Sequence, residues 1–210
     1  MANITLMIIF FLALISSSSF ASNVNDFCVA DLKGPYSPSG YQCLPPNTLK
    51  VDNFVFNLQI PNISNHVLKA GINTVTVNNF PALNGLDLSV VRVAIDKDGF
   101  FPIHIHKDAT ELIIALEGEI TAGFITGTNA YVKTLKPGDL MVIPQGLFHF
   151  VANTGNGKSS GYGVFSSSNP SVQAFNDIFA NNVPSNVIAQ TTFLDVAHVK
   201  KLKALFGGSS

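Results

Sequence analysis

The strongest constraint on this chain is a series of short apolar runs cut apart by turn residues. Leu88–Ile95, Glu111–Leu116, Glu119–Ile125, Leu140–Ile143 and Phe148–Ala152 are short and rich in β-branched or aromatic side chains. Between them lie Asp98-Gly99, Glu117-Gly118, Gly127-Thr128-Asn129, Lys136-Pro137-Gly138-Asp139 and Gly155-Asn156-Gly157. Runs of this length suit strands rather than helices. Many of them in close succession predict an all-β antiparallel sandwich or barrel. With 210 residues the chain can form one domain with a full core. After Asn169-Pro170 the pattern becomes helical. Ser171 could cap a helix through Val172, Phe175, Ile178 and Phe179. A second helix from Asp195 would align Val199, Leu202, Leu205 and Phe206 and stop at Gly207-Gly208.

Only 12% of residues are charged, the net charge is −1, and the sole arginine is Arg92. Nucleic acids and anionic membrane surfaces are bound through clustered cations, so neither is an expected partner. So thin a charge cover predicts surface buried by self-association. Residues 1–21 are uncharged, with an apolar run from Ile4 to Ile15 and small residues up to Ala21. They read as a secretory signal peptide rather than a membrane anchor, because about a dozen apolar residues cannot span a bilayer. No membrane span is expected in the mature chain. In an oxidising compartment Cys28 and Cys43, the only two cysteines, are expected to form a disulfide. Asn62-Ile63-Ser64 is an acceptor for N-glycosylation. The expected division is therefore a signal peptide (1–21), an N-terminal extension without regular structure (22–50), a barrel (51–168) and a helical oligomerisation segment (169–210).

Histidines are scarce, yet two stand one residue apart in Phe101-Pro102-Ile103-His104-Ile105-His106. On a strand, residues i and i+2 share a face, so both imidazoles would project together. Glu111 follows and opens an apolar run. A carboxylate at the start of a buried strand has a reason to be there if a cation neutralises it. Lys107–Thr110 is long enough to turn the chain and bring that strand alongside the histidines. His66 and His198 have no partner at ligand spacing and read as surface or packing residues.

Further on, Gly138 leads to Pro144-Gln145-Gly146-Leu147-Phe148-His149, with Asn153 four residues later. Together with Glu111 and Gly118, this resembles the two sequence motifs of the cupin superfamily. The match is similar above all to plant germin-like proteins. It includes Asp26-Phe27-Cys28-Val29-Ala30-Asp31, Gly40-Tyr41-Gln42-Cys43, Phe80-Pro81-Ala82-Leu83-Asn84-Gly85-Leu86 and Thr191-Thr192-Phe193-Leu194-Asp195. The resemblance implies a cupin β-jelly-roll barrel with a C-terminal α-helical segment. It also implies secretion to the apoplast or cell wall and a homo-oligomer, up to a hexamer built as a trimer of dimers. The ligand set it implies is His104, His106, Glu111 and His149, around Mn(2+). Chemistry alone leaves the metal open, because three imidazoles and a carboxylate also accept Fe, Zn, Ni or Cu.

The pattern departs from the family around these ligands. Asp98-Gly99 stands where Gly-Gly is usual, and Lys107 where a proline commonly follows the second histidine. Family members that oxidise oxalate carry asparagines at the positions of Phe101 and Val91, and a glutamine is frequent at that of Val151. Apolar walls leave oxalate's second carboxylate unpaired, so oxalate oxidation is not expected. The expected activity is superoxide dismutation. The alternatives are a binding module that anchors an auxin-type aromatic acid on the metal, beside Val91, Phe101 and Val151, and a wall or storage glycoprotein.

Overall fold

A computed structural model describes residues 26–37, 40–63 and 65–209. The signal-peptide reading falls outside them, as does Ser64 of the glycosylation acceptor; Asn62 itself is exposed. No described helix is long and apolar enough to cross a membrane.

The apolar runs become β2 (Ser89–Ile95), β4 (Glu111–Glu117), β5 (Ile120–Thr126), β7 (Leu140–Ile143) and β8 (Phe148–Ala152). The histidine segment supplies β3 (Phe100–Ile105). Four more strands had weaker signals: β1 (Ala70–Val75), β6 (Asn129–Leu135), β9 (Ser159–Phe165) and β10 (Gln173–Ala174). They form two five-stranded antiparallel sheets, ordered β1-β2-β9-β4-β7 and β10-β3-β8-β5-β6. The strands pack face to face as a β-jelly-roll, and alternate side chains fill the space between. Ile95, Ala115, Ile120 and Ala122 are completely buried there, together with Ile113, Ile143 and Val151. The fold class read from the sequence is the fold observed.

The N-terminal extension is more ordered than expected. Cys28 and Cys43 are joined by a disulfide, and Ala30 forms a β-bridge with Cys43. Buried Asn84 secures this segment: its amide donates to the Tyr41 carbonyl at 2.9 Å and accepts from the Tyr41 N–H at 3.1 Å. Ala30 packs with Val75, Val77 and Leu83 in a second small core. The first strand begins at Ala70, well after Val51, and Val51–Phe54 is a 3-10 turn. Residues 55–69 include Pro61 and several asparagines, which compete with ladder pairing.

Two further expectations are corrected. Ser171 does not cap a helix. Its N–H and hydroxyl both donate to Asp108 Oδ1, at 2.9 and 2.7 Å, and no helix follows it whose N–H groups it could accept from. The chain there runs as a strap into β10, and Phe175–Ile178 is one 3-10 turn. The helix preceding Asp195 is instead α1 (Ser185–Thr192). The second helix, α2 (Val196–Phe206), has the expected N-cap, with Asp195 accepting from the His198 N–H, and ends at left-handed Gly207. Ile188, Ala189 and Val199 seal the two helices against Phe179.

Candidate metal centre

β3 and β8 are neighbours, and their register sets His104 directly opposite His149. His106 follows β3 at its end. Glu111 opens β4, which lies in the other sheet, so the expected β3–β4 hairpin does not form. The connection after His106 instead crosses from one sheet to the other, because both strands have a face to bury in the same interior. Glu111 therefore meets the histidines across the barrel. The four groups come together, each offering one ligand atom within 4.8 Å of the others. That spacing suits a single ion at ligand distances of about 2.0–2.2 Å.

Hydrogen bonds settle which imidazole nitrogen faces the centre. His104 Nδ1 lies 2.7 Å from the Pro102 carbonyl, His106 Nδ1 2.8 Å from that of Ser171, and His149 Nδ1 2.9 Å from that of Leu147. A carbonyl only accepts, so every Nδ1 is the donor and a neutral ring keeps its Nε2 lone pair for the centre. His149 Nε2 lies 3.1 Å from Glu111 Oε2, and both atoms are buried without a hydrogen-bond partner. Two acceptors held face to face in a dry interior call for a cation between them. The donor set fits a metal ion.

Charge balance agrees. Burial, reinforced by His149, pushes the His104 imidazole down to about 4. Burial also raises the Glu111 carboxyl, but hydrogen bonds and charge from His106 and His149, when those rings carry the proton that a metal would replace, outweigh it and hold the group at about 2. His106 is pulled down by burial and raised more by Glu111 and the Ser171 carbonyl, ending above its ordinary value. At neutral pH an ionised carboxylate thus faces the neutral His104 ring, ready for a cation.

A cavity of ≈ 560 Å³ opens from this centre, touching His104, His106 and Glu111. His149, 1% exposed, sits behind them. The structure places Val91, Phe101 and Val151 on the cavity wall, beside Val93 and Ile113. Strict alternation would turn Phe101 away from His104. The β3–β8 register shifts between these two residues, and both line the cavity. His66 and His198 lie elsewhere and are exposed, the latter held by Asp195.

Gly163 was not anticipated. A Cβ there would meet Glu111 Oε1 at 2.5 Å and Val91 Cγ2 at 2.9 Å, so the missing side chain makes room for the carboxylate. The alternation Gly161-Tyr162-Gly163 within a strand was its only sequence signal. Asn153 has a structural role: its amide donates to the carbonyls of Ile95, Asp96 and Gly157 and accepts from the Gly155 N–H.

Residues 56–200 match the cupin family model. A germin-like protein of Arabidopsis thaliana, subfamily 3 member 1, is 44% identical over 96% of this chain and 98% of its own. The chain belongs to the germin-like proteins of the cupin family. Auxin-binding protein ABP20 of Prunus persica is 43% identical over 95% of this chain and 94% of its own. A recombinant oxalate oxidase solved in complex with glycolate superposes with a TM-score of 0.81, at 28% identity, over 87% of this chain and 96% of its own. In this germin-like chain Val91, Phe101 and Val151 lie among the residues lining the cavity, with Thr74, Asn169 and Asn176 also on its wall.

Proposed function

We propose that this germin-like protein is secreted, holds manganese on His104, His106, Glu111 and His149, and dismutes superoxide at that centre. The observation carrying the metal is the set of buried lone pairs of His149 Nε2 and Glu111 Oε2, turned on each other at 3.1 Å. Manganese bound there supplies an ion that changes oxidation state by one electron and attracts a small anion. The protein's own residues do the rest. Three backbone carbonyls hold the imidazoles in one tautomer and orientation. The single negative charge of Glu111 leaves a divalent ion net positive, which favours an incoming anion. Val91, Phe101 and Val151 offer no hydrogen-bond donor to the second carboxylate of oxalate, which disfavours oxalate against that part of the wall.

A second reading has an observation in its favour: ≈ 560 Å³ is far more room than a diatomic anion needs. The same centre would anchor the carboxylate of an auxin-type aromatic acid, with its ring against Phe101 and Val151. Secretion to the apoplast accords with the disulfide and with the apolar run from Ile4 to Ile15 in the sequence. Assembly, up to a hexamer, accords with apolar side chains left exposed on the helical segment, Phe193 (97% exposed) and Leu205 (53%) among them.

Manganese-loaded wild type is expected to dismute superoxide well above a His149→Ala variant. Loaded wild type with no more activity than the variant contradicts the enzymatic reading. Saturable binding of indole-3-acetate that persists after metal removal contradicts the anchoring reading.

A further inference from the structure

The three imidazoles are not held alike. His104 and His149 lean on carbonyls two residues away on their own strands, Pro102 and Leu147. These supports come with the barrel itself. His106 instead donates to the Ser171 carbonyl, 65 residues away in sequence, on the strap that leaves the barrel after β9. Its orientation is therefore only as firm as the position of that strap.

The strap is stitched to the segment that carries the ligands. Ser166 N–H donates to the Thr110 carbonyl at 3.0 Å, and Thr110 N–H donates to Ser166 Oγ at 2.9 Å. Further along, Gln173 and Ala174 pair with Ile105 and His104. Between these two ends, Ser168 accepts from the Val77 N–H at 2.8 Å and Asn169 from the Asn78 amide at 3.1 Å. Ser171 itself is tied by Asp108, whose Oδ1 accepts from both its N–H and its hydroxyl. Asp108 lies two residues after His106. One carboxylate oxygen thus fixes the peptide whose carbonyl orients a ligand.

We infer that Asp108 is a positioning residue for the metal: acting through Ser171, it holds the His106 imidazole in its ligating orientation. This rests on the proposal that the four-residue centre binds a metal. Asp108 does not line the cavity; it reaches the His106 imidazole through the Ser171 peptide and, at longer range, through its own charge. Groups that orient metal-bound imidazoles in this way are commonly worth about 10–100-fold in metal affinity.

The test uses the full secreted chain, stripped of metal and titrated with manganese against a competing chelator, with electron paramagnetic resonance on the loaded protein. Asp108→Ala is expected to weaken manganese binding about 10–100-fold and alter the spectrum. Asp108→Asn keeps an acceptor oxygen and is expected to restore both. Ser171→Ala removes one of the two hydrogen bonds and should show a smaller loss in the same direction, which keeps the test open if Asp108→Ala folds poorly. Asp139→Ala is the control. Asp139 likewise accepts a backbone N–H, from Lys136 at 2.9 Å, in a turn outside the ligand set. Its loss should leave affinity and spectrum unchanged.

Asp108→Ala with wild-type affinity and spectrum overturns the inference while wild type still binds manganese. The same holds if Asp139→Ala weakens binding as much as Asp108→Ala does. Wild type that takes up no manganese overturns both this inference and the metal reading beneath it.

Discussion

Replacing Gly163 with alanine is expected to weaken manganese binding about 10–100-fold while leaving a folded barrel. The new Cβ would meet Glu111 Oε1 at 2.5 Å, an impossible approach, and Val91 Cγ2 at 2.9 Å. Something must move, and the end of the glutamate side chain moves most easily. The move takes the carboxylate away from the three histidines. Val91 is β-branched and stiff, so crowding against it adds about 1–3 kcal/mol of destabilisation. Gly161 gives the contrast. A Cβ there meets the Ile114 backbone oxygen at 2.6 Å, and no side-chain rotation can relieve that. Gly161→Ala should therefore destabilise the barrel without a specific effect on the metal. Denaturant unfolding of metal-free protein and chelator competition separate the two outcomes. Equal metal affinity in Gly163→Ala and wild type would show that the carboxylate has room the structure does not give it.

The second large effect is on stability. Cys28→Ser combined with Cys43→Ser is expected to cost about 3 kcal/mol, or roughly 6–12 °C in melting temperature. The sequence separation of 15 residues sets the loop whose freedom the bond removes from the unfolded chain. The bond also holds Ala30 in the small core with Val75, Val77 and Leu83, apart from the metal ligands. Manganese affinity at 25 °C should thus be unchanged in the double variant. Thermal unfolding of metal-free protein reads the first quantity and chelator competition the second. An unchanged melting temperature would mean that the barrel does not depend on its N-terminal extension.

Much of the barrel was legible because period-two burial leaves its mark on composition. Ile113 and Ala115 alternate with half-buried neighbours on β4, and Glu111 continues the same buried face. The ligand set was legible through motif resemblance, and the carboxylate was suspicious on physical grounds alone. What escaped notice depended on tertiary partners. Ser171 has the residue type of a cap, but Asp108 holds its N–H and hydroxyl and the chain continues into β10 rather than a helix. Helix α1 reads Ser-Asn-Val-Ile-Ala-Gln-Thr-Thr and has no side-chain N-cap, so its stability comes from packing Ile188 and Ala189 on Phe179. A turn between His106 and Glu111 rests on connection length alone. Length permits a turn within one sheet or a crossing between two, and only the shared need to bury two faces selects the crossing. The register shift between Phe101 and His104, which lets both line the cavity, follows no alternation rule.

The proposed chemistry depends on the metal more than on any detail of the pocket. The measurement that bears on it most directly is metal content, combined with electron paramagnetic resonance, on protein purified from its native compartment. Wild type is expected to carry one manganese ion per chain, and His149→Ala, which removes the deepest imidazole, to lose it. Wild type holding no more manganese than His149→Ala, with the barrel intact in both, would contradict the account.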